Sequence, residues 1–112
     1  MSSMPITTLA TRKAMEGSRL KRAANQAVLE LEDYARREGG TFVVFGSYAN
    51  DTMRFDSDLD VMLDFPVEAT AEAWRFAEDV CTRLAVPLDI HDARSTKPEF
   101  AERVRQTGLV LG

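Results

Sequence analysis

Thr41-Phe42-Val43-Val44-Phe45-Gly46-Ser47, followed after ten residues by Asp58-Leu59-Asp60, is the stretch on which the reading of this chain turns. Thr41 to Phe45 is short, β-prone and continuously apolar, the pattern of a central strand covered on both faces. Gly46-Ser47 breaks it, and the polar residues 50–57 are turn-like. Asp58 to Phe65 then alternates strictly. Asp58, Asp60, Met62 and Asp64 face one way, and Leu59, Val61, Leu63 and Phe65 the other. Pro66 closes that strand.

Asp58 and Asp60 therefore lie on one strand face with Cα atoms roughly 6.6 Å apart. Like charges so close are costly unless a cation lies between them or one carboxyl keeps its proton. Hard oxygen donors of this kind favour Mg²⁺ or Mn²⁺. The plain alternative is a pair of solvent-facing acids on an amphipathic strand. A calcium loop counted from Asp56 fails, because its sixth and twelfth places hold Val61 and Val67 instead of Gly and Glu. Pro87 to His91 reads as a third strand, with Leu88 and Ile90 toward the core. Asp89 on its other face is the natural third carboxylate. Gly46-Ser47 offers what a phosphate needs after a buried strand: exposed amides, close approach at Gly, and a hydroxyl donor. It is not a Walker A loop, which requires Gly-Lys-Ser/Thr.

Working outward, an apolar stripe of Leu20, Ala24, Ala27, Val28, Leu31, Tyr34 and Ala35 marks a helix over Gly17–Glu38, ended by Gly39-Gly40. Residues Thr7–Glu16 read as a separate short helix or an earlier part of the same one. Thr70 is expected to N-cap a helix running to about Leu84, with Trp74, Ala77, Cys81 and Leu84 inward and Phe76 off the stripe. Thr96-x-x-Glu99 reads as a capping box for a last helix that Gly108 ends, leaving an apolar tail, Leu109–Leu111. Strands alternating with helices give a small α/β or α+β sandwich, a mixed sheet flanked by helices.

The chain has 112 residues, enough for one domain, with 45% hydrophobic and 29% charged residues. No apolar run is long enough to span a membrane and no secretory signal is visible, so the protein is expected to be cytoplasmic. Cys81 is the single cysteine, which excludes an internal disulfide. Net charge is −4, and Asp51–Asp64 alone, with five acids and one base, accounts for it. An acidic chain is a poor general nucleic-acid binder. Arg12, Lys13, Arg19, Lys21 and Arg22 make the N-terminal segment basic, as a solvated helix face or, more sharply, an RNA or partner surface. His91 reads as a satisfied or solvent-facing histidine.

The apolar strand into Gly46-Ser47, the ten-residue spacing, Asp58-x-Asp60 and the later Pro87-Leu88-Asp89-Ile90 together resemble the DNA polymerase β-type nucleotidyltransferases, and within them the minimal nucleotidyltransferase family. The string FGSYANDTMRFDSDLDVML carries the likeness, and the family's layout covers nearly the whole chain: one domain over residues 1–112, with 1–40 an N-terminal helical segment and 41–112 the catalytic core. The resemblance implies that Asp58, Asp60 and Asp89 hold two Mg²⁺ ions (or Mn²⁺). It implies that Gly46 and Ser47 bind the phosphates of ATP, and that an acceptor hydroxyl attacks the α-phosphorus and releases pyrophosphate, with Asp89 also placed as base. The family often reads Gly-Ser-x-Ala-Arg-Gly, whereas Asn50 and Asp51 stand here at the Arg and Gly positions. That change should weaken nucleotide binding unless Arg54 compensates.

The family commonly works with a separately encoded helical HEPN protein, so the resemblance implies an antitoxin that adds AMP to such a toxin. The competing expectation is an antitoxin that neutralises its partner by contact alone. Self-association remains open on this reading.

Overall fold

The computed structural model describes residues 8–112, so Thr7 of the expected N-terminal helix lies outside the described residues. In chain order the elements are α1 (Leu9–Glu38), β1 (Thr41–Phe45), β2 (Leu59–Asp64), a 3₁₀ turn (Val67–Ala69), α2 (Thr70–Arg83), β3 (Leu88–Asp92), a second 3₁₀ turn (Ala93–Ser95), α3 (Pro98–Thr107) and β4 (Leu109–Leu111). The two N-terminal helical readings resolve into one helix of 30 residues, about 45 Å long at 1.5 Å per residue. Thr8 caps it, its hydroxyl accepting from the amide of Thr11. Gly39 closes it at φ 74°, a left-handed conformation glycine adopts without penalty, donating its amide to the carbonyl of Ala35.

The four strands form one sheet in the order β3-β2-β1-β4. β1 runs antiparallel to both β2 and β4, while β2 and β3 are parallel and joined through α2. This is the α+β sandwich of a mixed sheet and helices that the pattern predicts. β1 is central, which explains its unbroken apolar run. Phe42 and Val44 enter the cluster that includes Leu20, Leu31, Ala77 and Cys81 from α1 and α2, and Val43 joins Met62, Ala101 and Val104 beneath α3. The alternation along β2 sorts in the same way, with Leu59, Val61, Leu63 and Phe65 toward α1 and α2 and Met62 toward α3.

Several local expectations are corrected. β2 begins at Leu59, so Asp58 lies in the incoming loop; the ladder starts where the Leu59 amide reaches the carbonyl of Pro87 at 2.7 Å. β3 is shifted by one, to Leu88–Asp92. Thr70 is the first residue of α2, not its cap. A 3₁₀ turn leads into the helix, and the Thr70 hydroxyl donates to the carbonyl of Pro66. The fully buried stripe of α2 is Ala73, Ala77, Val80 and Cys81, with Trp74 and Leu84 only half-buried. Phe76, off that stripe, stacks on Tyr34 at 4.1 Å between ring centres. The Thr96–Glu99 capping box does not form. Lys97 occupies the cap position without a side-chain bond, and the Thr96 hydroxyl donates to the carbonyl of Ala93 in the preceding 3₁₀ turn. The apolar tail pairs with β1 as β4. Among the described residues no helix is long and apolar enough to cross a membrane.

Candidate active site

Strand register brings two of the three candidate carboxylates side by side at one end of the sheet. Asp60 of β2 stands directly opposite Asp89 of the parallel β3, and Phe45, the last residue of β1, flanks Asp60 on the other side. Asp58 enters two residues earlier, from the loop. Asp60 is half-buried, whereas Asp58 and Asp89 are exposed. Burial first, and then the negative charges of Asp89 and Asp58, push the Asp60 carboxyl above the usual carboxylate range; the nearby His91 acts weakly in the opposite sense. The unfavourable charge concentration expected from Asp58-x-Asp60 is therefore present, with Asp60 at its centre.

Gly46 belongs to the same point in space. Its φ is 71°, and a Cβ built on it would fall 2.1 Å from Oδ2 of Asp60. Only glycine allows the turn to lie against that carboxylate. From Gly46 the chain curls back on itself. The Asn50 amide donates to the Gly46 carbonyl at 3.0 Å and the Thr52 amide to the Ser47 carbonyl at 2.8 Å. Among the described residues the amides of Ser47, Tyr48 and Ala49 make no backbone hydrogen bond. With the Ser47 hydroxyl, these successive amides are donors of the turn left without a backbone partner, on the side of the chain that meets Asp60.

The loop between the two halves of the site is pinned to α1. Tyr48 donates its hydroxyl to Oδ1 of Asn25 at 2.7 Å, and Nζ of Lys21 pairs with Asp51 at 2.6 Å while lying 5.2 Å from the centre of the Tyr48 ring. The Lys21 hydrogen bond holds the Asp51 carboxyl below its ordinary range. The cation that offsets Asp51 is thus Lys21, distant in sequence, and not Arg54, which pairs with no acid among the described residues. Sequence reasoning missed Tyr48 and Asn25 and read Lys21 only as part of a basic segment; no spacing rule links α1 to this loop.

His91 lies on the same sheet face as Asp89, with Nε2 at 3.4 Å from Asp89 Oδ2, and its ring sits 5.9 Å from Phe45 and 6.1 Å from Phe100. As the side chains stand, no three acidic, histidine or cysteine groups among the described residues are gathered closely enough to hold an ion. The chemistry of the donor set nevertheless fits a hard divalent cation, because burial and the charges of Asp89 and Asp58 raise the Asp60 carboxyl, and a cation would offset both.

Residues 31–112 match the family described as polymerase beta, nucleotidyltransferase. A solved structure described as a candidate minimal nucleotidyltransferase superposes with a TM-score of 0.60 at 32% identity, over 79% of this chain and 89% of that one. No curated protein matches the chain. With this fold, this site and these likenesses, the chain belongs to the polymerase beta nucleotidyltransferases, in their minimal form. Its class of chemistry is nucleotidyl transfer, and its substrate a nucleotide.

Proposed function

We propose that this nucleotidyltransferase moves AMP from ATP to a hydroxyl of a protein partner, a helical HEPN-type toxin for which it acts as antitoxin. The observation that carries the reading is the packing of the Gly46-Ser47 turn against Asp60, with Asp89 alongside in register. A phosphate held by the turn would then lie beside the carboxylates, the juxtaposition that phosphoryl transfer requires.

The free amides of Ser47, Tyr48 and Ala49 and the Ser47 hydroxyl would receive the β- and γ-phosphates. Asp58, Asp60 and Asp89 would hold two Mg²⁺ ions, or Mn²⁺. When bound, these ions supply positive charge that lowers the pKa of the acceptor hydroxyl and offsets charge on the leaving pyrophosphate. Asp89, the more exposed of the register pair, would take the proton of the attacking hydroxyl. The acceptor oxygen forms a bond to the α-phosphorus as the bond to the pyrophosphate oxygen breaks. Lys21 neutralises Asp51, so the acid at this unusual position does not repel the triphosphate. Protein is favoured as acceptor because acids concentrate around the site, five of them with one base between Asp51 and Asp64, a poor surface for the phosphates of a nucleic acid.

Mass spectrometry of a co-expressed partner tests the proposal. AMP-sized additions that disappear with Asp58→Asn or Asp60→Asn, in a complex that still forms, support it. A partner neutralised but never modified would replace it with the contact-only antitoxin. Ser47→Ala should weaken ATP binding by about 1 kcal/mol or somewhat more, read by calorimetry.

A further inference from the structure

The first turns of α1 extend beyond the core. One face of the helix is buried from Leu20 onward, but Leu9 and Met15 remain 66% and 64% exposed. Where this arm meets the body, it forms one wall of an open groove of about 750 Å³. Ala10, Ala14 and Gly17 line the groove from α1, and Met53 and Phe55 from the loop. Lys13, Lys21, Arg22 and Arg54 form its rim. The helix and loop touch at Gly17, where a Cβ would lie 3.5 Å from the Phe55 amide nitrogen, and the Lys13 ammonium sits 5.0 Å from the centre of the Phe55 ring.

Charge is segregated along the chain. Leu9–Arg22 carries five bases and one acid, whereas the remaining residues carry nine bases and seventeen acids. Arg19 is paired with Glu16 and Lys21 with Asp51, but Arg12, Lys13, Arg22 and Arg54 have no acidic partner among the described residues. This arm also lies outside residues 31–112, the span of the family match.

We infer that the groove is the docking site for an acidic amphipathic helix of the protein acceptor. The inference rests on reading the chain as a transferase with a protein partner. Ala10, Ala14 and Gly17 allow a helix backbone to approach closely, and Met53 and Phe55 give its apolar side chains something to bury against. The unpaired rim bases select acids on its flanks. The span from Ala10 to Arg22 is about 18 Å, enough for roughly three turns of a docked helix. A second copy of this chain fits less well, because its own arm would bring the same positive charge. RNA fits less well because the floor is apolar and small. A helix seated here lies against Met53 and Phe55, in the loop whose ends are the Ser47 turn and Asp58, so the partner is held beside the site that acts on it.

The test uses the full chain and a fluorescent, helical peptide of about fourteen Glu and Leu residues with its leucines on one face. Saturable anisotropy binding is expected. It should weaken about tenfold with Arg12→Glu/Arg22→Glu, and comparably with Ala14→Trp, which fills the groove. These positions are exposed, and thermal melts would confirm that the variants fold. Asp60→Asn should leave peptide binding unchanged, and the groove variants should leave ATP binding unchanged. Equal binding by a peptide with Ala for Leu, or by the groove variants, would overturn the proposal. So would displacement of the peptide by a short single-stranded RNA, or a dimer of the chain that Ala14→Trp dissociates. Failure of the unaltered chain to bind or transfer AMP would count against the proposed function and leave the peptide titration readable.

Discussion

A methyl group on Gly46 and the carboxylate of Asp60 cannot occupy the same space. Gly46→Ala should therefore displace Asp60 and force a left-handed backbone on alanine, costing about 1–2 kcal/mol in urea unfolding and abolishing nucleotide binding. Asp60 itself opposes folding at neutral pH. Its folded pKa is raised, so its contribution to stability is fully present below the unfolded pKa and is lost as pH rises through the folded one. Asp60→Asn should melt higher than the parent near pH 7, with the advantage shrinking toward about pH 4. Mg²⁺ should raise the melting temperature of the parent but not of the variant. A variant that melts lower at neutral pH would mean that Asp60 is held by a favourable contact instead of destabilised by burial and by the charges of Asp89 and Asp58.

At the scale of elements, the loop between the two halves of the site keeps its shape through α1. Tyr48→Phe removes the bond to Asn25 and should cost about 1 kcal/mol or less, measured by urea unfolding, because the pair is partly exposed. Its larger effect should be on KM for ATP, since Ser47 precedes Tyr48 in the turn. The elements themselves were legible wherever burial alone decides them. β1 showed as an unbroken apolar run, β2 as alternation, and α1 as a stripe. The carboxylate set was legible because period-two spacing puts Asp60 on the α3 face of β2 and Asp89 on the same face of β3, and the parallel register then joins them. What remained hidden depends on tertiary partners or on a local turn that competes with the expected motif. Leu109–Leu111 is too short to show a strand period and becomes β4 only because the edge of β1 is available. Thr96 had the spacing of a capping box, but the 3₁₀ turn before it offered the Ala93 carbonyl instead. Lys21 could not be matched to Asp51 without the fold.

Across the whole molecule, stability and docking reside in different parts of one helix. Buried positions on α1 begin at Leu20, and Arg19 bonds to the carbonyls of Leu84 and Ala85. Removing residues 1–16 should therefore change unfolding free energy by no more than about 1 kcal/mol. The same truncation should eliminate binding of the acidic peptide. Because that binding uses exposed charges, it should also weaken as ionic strength rises, whereas melting temperature should change little.

The strand order carries a consequence for how the chain is made. β1 leaves the ribosome early and carries the turn that meets Asp60, yet one of its two edges is satisfied only by Leu109–Leu111. Until those residues emerge, Phe42, Val43 and Val44 present an open, strongly apolar strand edge during translation. Closing the sheet joins segments separated by more than half the sequence, a contact that pays its loop-closure entropy late. Nascent chains stalled before Leu109 should consequently be prone to stick to one another or to need a chaperone, although every candidate active-site residue has already been synthesised.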